Sequence, residues 1–108
     1  MWHFEGALMP TYVVIFRFAA SPTRNRRERE LHDRLTPGTW WAESGPAIVV
    51  ADDAPIDEFF NRLFDPSIFD ERADTAVVFD LDGGGGGRAR GSFVDFGLFH
   101  LVPGLERI

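Results

Sequence analysis

The chain has no cysteine and no lysine. Without cysteine there can be no disulfide, no thiolate metal site and no thiol nucleophile. Without lysine there can be no lysine Schiff base and no chemistry that needs an ε-ammonium group. Long apolar runs are also missing. Runs such as Val13 to Phe16 and Ala47 to Ala51 are far too short to span a bilayer, so no membrane contact is expected. The opening residues Met1-Trp2-His3-Phe4-Glu5-Gly6 lack a basic region followed by an apolar stretch, which is not the pattern of a signal peptide. A cytoplasmic protein is therefore the expectation. Positive charge is in short supply, with 17 acids against 11 bases and a net charge of −6. That balance disfavours a general nucleic-acid binder, whose affinity rests on cations, unless a local basic patch overrides it.

What is present is core-forming material. Of the 108 residues 44% are hydrophobic, with 11 Phe and 3 Trp, enough to fill one core. Residues 1–10 read as a leader, with residues 11–108 as a single domain. Thr11 to Ala19 is rich in β-branched and aromatic residues and reads as a buried strand. Tyr12, Val14, Phe16 and Phe18 share one of its faces; Val13, Ile15 and Arg17 share the other. Ser21-Pro22 opens a polar helix to Leu35, in which only Leu31 and Leu35 form an apolar stripe, and Thr36-Pro37-Gly38 stops it.

Two strands follow, Thr39–Glu43 and Ala47–Ala51, joined at Ser44-Gly45-Pro46. Asp52-Asp53 is a candidate cap for the next helix. There Ile56, Phe59, Phe60, Leu63 and Phe64 fall at i, i+3, i+4, i+7 and i+8, the strongest helical signal in the chain. Ala76–Leu81 is a fourth strand, Gly83–Gly87 reads as a flexible connector, and Phe93–Val102 as a long closing strand. The order predicts an α+β protein, a ferredoxin-like βαββαβ sandwich with an extra C-terminal strand. Helices on one face of such a sheet leave the other bare, so a homodimer is expected.

No motif yields a conventional active site. Asp80-Leu81-Asp82-Gly83 resembles the nucleophile motif of haloacid-dehalogenase-type phosphatases. That family needs a downstream lysine that this chain does not have, and Gly84 stands where the family has Thr. As a calcium loop the same stretch fails, because its twelfth position is Gly91 rather than Glu. The glycine run lacks the Gly-Lys-Ser/Thr ending of a phosphate-binding loop. His3, His32 and His100 are scattered without ligand spacing, so no metal site and no cofactor is expected. Two candidate sites remain. Arg24, Arg26 and Arg27 form a basic patch at the start of the first helix, suited to nucleic acid or another anion. Trp40, Trp41, Phe96 and His100 could line a small-molecule pocket.

Tyr12–Phe18, then Trp40-Trp41-Ala42-Glu43-Ser44 and Ala47-Ile48-Val49-Val50, resemble segments of the CRISPR-associated Cas2 proteins, the VapD ribonucleases and their SinR-type relatives. The resemblance implies a ferredoxin-like dimer that contacts nucleic acid or protein. It also implies a metal-binding Asp at the end of the first strand, a place occupied here by Arg17. A guanidinium there removes a hard oxygen ligand and repels Mg²⁺. The expected function is thus a non-catalytic dimeric scaffold that contacts nucleic acid or a protein partner. The alternatives are a small-molecule enzyme or binder of the dimeric α/β-barrel type and a purely structural partner protein.

Overall fold

A computed structural model describes residues 9–35, 39–42, 47–82 and 86–108. The expected leader lies outside the described residues except for Met9 and Pro10. So do the helix stop at 36–38, the hairpin connection at 44–46 and the glycines at 83–85. The described elements are β1 (Thr11–Arg17), α1 (Arg24–Arg34), β2 (Thr39–Trp41), β3 (Ala47–Ala51), α2 (Ile56–Leu63), β4 (Thr75–Asp80), β5 (Gly87–Gly91), α3 (Gly97–Leu101) and β6 (Leu105–Arg107). The protein is α+β. Its six described strands form one sheet in the order β2-β3-β1-β4-β5-β6. Every pairing is antiparallel except β5 with β6, which is parallel.

Alternation along β1 fixes which face is which. Tyr12, Val14 and Phe16 are buried beneath α1 and α2, with Ile48 and Val50 of β3 and Ala76 and Val78 of β4 on the same side. The α2 stripe behaves as its spacing requires, since Phe59, Phe60, Leu63 and Phe64 are all fully buried. Phe59 stacks on Tyr12 with ring centroids 4.6 Å apart. Leu31 and Leu35 dock α1 on this core. Asp52 does not cap α2. Pro55 occupies the cap position, and the Asp52 carboxylate instead accepts the Ala54 N–H and pairs with Arg62.

The C-terminal third corrects the sequence reading. Phe93–Val102 is a loop followed by α3 rather than a strand. The Asp95 side chain accepts the Gly97 N–H at 2.7 Å and turns the chain. Leu98, Phe99 and Val102 are then spaced as one face of a helical turn. The added strand is β5, which begins at the last glycine of the expected connector and runs through residues given no element from the sequence. Three of its five residues are Gly or Ala, which are depleted in strands, so local propensity concealed it. Tertiary contacts favour it instead. Ala89 is fully buried, Arg88 pairs with Asp57 of α2 at 2.7 Å, and Arg90 lies 5.0 Å over the Phe60 ring. Both end glycines are sterically demanded. A Cβ at Gly87 would sit 2.0 Å from the Val78 carbonyl oxygen, and one at Gly91, where φ is +122°, 2.0 Å from that of Asp74.

The second sheet face is unevenly covered. Over β4, β5 and β6 the segment 93–102 forms a flap, with Phe93, Leu98, Phe99 and Val102 packed on Val77, Phe79, Ala89 and Leu105. Over β2, β3 and β1 the described residues leave Trp41 and Ile15 49% and 41% exposed.

Candidate functional site

The arginine patch divides once the chain folds. Arg24 is exposed and lies 3.8 Å from Glu28 in an i, i+4 pair. Arg26 is exposed at the rim of a hollow of about 380 Å³, lined also by Ser21, Thr23, Asp70 and Asp74. Arg27 turns inward. It donates to Asp74 at 2.6 Å, to the Ile68 carbonyl at 3.0 Å and to the Ala19 carbonyl at 3.2 Å. The three arginines are therefore not one grip. Arg27 was a legible core position, because Arg27, Leu31 and Leu35 continue a single i, i+4, i+8 stripe.

The carboxylate that holds Arg27 was not singled out by any motif. Asp74 is fully buried and also accepts the backbone N–H groups of Ala19, at 2.7 Å, and Asp70, at 2.8 Å. Such a buried charge is sustainable only when it is paired and fully hydrogen-bonded. A second inward pair joins Asp52, 1% exposed, to Arg62. Both tie loops to helices.

Nor are the four aromatic pocket candidates together. Trp40 opposes Val50 on the helix-covered face and packs beside His32, ring centroids 5.3 Å apart. Trp41 opposes Val49 on the other face. Phe96 and His100 belong to the flap over β4, β5 and β6, at the far side of the sheet from β2. Phe96 lies under the Arg107 guanidinium at 5.1 Å.

The acidic turn after β4 has a structural role. The Asp82 carboxylate accepts the Thr11 N–H at 2.6 Å, and Asp80 accepts the Asp82 N–H at 2.9 Å. Nearby, the Tyr12 hydroxyl donates to the Ala54 carbonyl at 2.8 Å. Burial first, and then the negative charges of Asp80, Asp52 and Asp82, push its pKa up to about 12. Among the described residues no group of three or more His, Asp or Glu is placed to hold a metal ion. No helix among them is long and apolar enough to cross a membrane.

What remains is the open half of the second sheet face. Strand register puts Trp41, Val49 and Val13 in one row across it and Ala47 and Ile15 in the next, the two rows running on beneath the flap to Phe79 and Val77. Among the described residues the sole charge on the β1–β3 part of this face is Arg17, exposed at the end of β1. The chain matches no protein-family model, no curated protein and no solved structure.

Proposed function

We propose that the protein is a non-catalytic, ferredoxin-like scaffold that works as a homodimer, with the open half of its sheet as the contact surface. The observation that carries this reading is the apolar patch of Trp41, Val49, Val13 and Ile15 on a face that no described helix covers. An apolar face of this kind on a small domain is an interaction surface. The six-strand mixed sheet differs from a four-stranded ferredoxin-like one, and what supports the ferredoxin-like element of the proposal is one part of it. β2, β3, β1 and β4 lie side by side, all antiparallel, with α1 and α2 on one face, and β5, α3 and β6 extend that unit at one edge.

A protein partner is better supported than nucleic acid. Arg27 is held by Asp74, the hollow beside Arg26 carries Asp70 and Asp74, and the net charge is −6. The small-molecule reading loses its pocket, because Trp40 and Trp41 point to opposite faces and Phe96 and His100 sit across the sheet. The test is light scattering on the full chain at micromolar concentration, with twice the 12.2 kDa chain mass expected. A monomer would overturn the proposal.

A further inference from the structure

We infer that two copies pair by each inserting its flap, residues 93–102, into the open half of the other's sheet. This rests on the dimeric reading above and assigns its geometry. The sheet's second face divides into two three-strand halves: among the described residues β4-β5-β6 carry a raised layer, and β2-β3-β1 carry none. A two-fold axis running along the strands, between β1 and β4, exchanges left with right and turns the faces toward each other. The flap of one copy then stands over the open half of the other, and the two flaps lie side by side as one layer between two sheets.

Three observations favour a second copy as the occupant. The flap is apolar on its outer side as well as its inner side, with Val94 96%, Leu101 82% and Phe96 49% exposed. These residues would meet Trp41, Ile15, Val13 and Val49. The area is adequate. Three strands at about 4.8 Å spacing and about five residues of 3.3 Å rise give a footprint of roughly 240 Å² per half. Four such halves come to on the order of 1,000 Å², the scale at which specific interfaces begin.

Charge is complementary as well. Among the described residues Arg17 is the one charge on the open half, and Asp95 is the one formally charged residue of the flap. Register places Arg17 level with Thr75 and Gly91, and Asp95 follows Gly91 by four residues. The proposed axis preserves height along the strands, so each Arg17 meets the partner copy's aspartate at that end, twice per dimer.

The experiment is sedimentation equilibrium on the full chain and on Trp41→Asp, Arg17→Glu, Asp95→Arg and the double variant Arg17→Glu/Asp95→Arg. Circular dichroism melts show that each one folds. The unsubstituted chain is expected to be a dimer. Either single charge reversal should raise its dissociation constant at least about tenfold, because like charges then face each other. The double variant should recover most of that loss, and folded Trp41→Asp should be monomeric. A dimer indifferent to Trp41→Asp, or a double variant no better than the singles, would overturn the flap exchange while leaving a dimeric scaffold standing. A monomeric unsubstituted chain would overturn both.

Discussion

Arg26 and Arg27 are neighbours in sequence with opposite fates, and the difference is measurable. Arg27→Ala would leave the fully buried Asp74 carboxylate without its cation, at a cost of about 3–5 kcal/mol. Arg26→Ala removes an exposed side chain and should cost under about 0.5 kcal/mol. Replacing both partners, Arg27→Met with Asp74→Asn, should cost less than Arg27→Ala, since no buried charge is then stranded. Chemical denaturation of the four proteins checks the ordering, and equal losses for Arg26→Ala and Arg27→Ala would contradict it. Tyr12 gives a second expectation at this scale. Its folded pKa, about 12, lies above the usual 10.0, so the unfolded chain ionises first as pH rises. The associated stability is whole below pH 10 and is lost as pH rises toward 12, about 3 kcal/mol for two pKa units. Tyr12 is the one tyrosine in the chain, so absorbance at high pH reads it directly. Tyr12→Phe should flatten the fall in stability over that window, and an unchanged slope would assign it elsewhere.

Elements were legible where periodicity and burial agree. The α2 stripe is the clear case: Phe59, Phe60, Leu63 and Phe64 stand at helical spacing and all four are buried. Phe60→Ala or Leu63→Ala should therefore cost about 2–5 kcal/mol. Val94→Ala, on the outer side of the flap, should leave the melting temperature of the monomeric chain almost unchanged. Thermal melts in the monomeric Trp41→Asp background separate the two classes, and similar shifts would mean that the flap is a core element. The C-terminal third was not legible for two reasons. Its apolar residues, Phe93 to Val102, come as three pairs and a lone Phe96, separated by Asp95, Gly97 and His100, a pattern that fits neither period well. The true strand, Gly-Arg-Ala-Arg-Gly, has one inward apolar side chain, and its arginines extend over α2 rather than into water. Its evidence lies in Asp57 and Phe60, some thirty residues away in the chain. The candidate pocket failed for a related reason. Composition can list Trp40, Trp41, Phe96 and His100 together, but only strand order shows that they belong to two faces and two edges.

At the scale of the whole molecule, the question is whether the sheet supports chemistry or only contact. The resemblance read from the sequence would put a metal-binding carboxylate at the end of β1. Arg17 stands there instead, level with Thr75 and Gly91 and exposed on the open face. In the paired arrangement two guanidinium groups and two carboxylates of Asp95 would meet at one end of the dimer, neutralising each other without leaving a vacant ligand set. The remaining carboxylates near β1 are engaged elsewhere. Asp82 accepts the Thr11 N–H, Asp52 holds Arg62 and Asp74 holds Arg27. The purified protein should therefore show no Mg²⁺- or Mn²⁺-dependent cleavage of single-stranded RNA, duplex DNA or a generic phosphate ester. Turnover that Asp80→Asn abolishes would restore the phosphatase reading of the acidic turn. Turnover that survives Asp80→Asn and Asp82→Asn would place a carboxylate site elsewhere. Arg17→Asp supplies the sharper comparison, because it restores the ligand type at the position in question. If it weakens the dimer and confers no metal-dependent cleavage, the face is a contact surface built around Arg17. If it confers cleavage while the dimer persists, this sheet is a nuclease scaffold whose metal site a single guanidinium has closed.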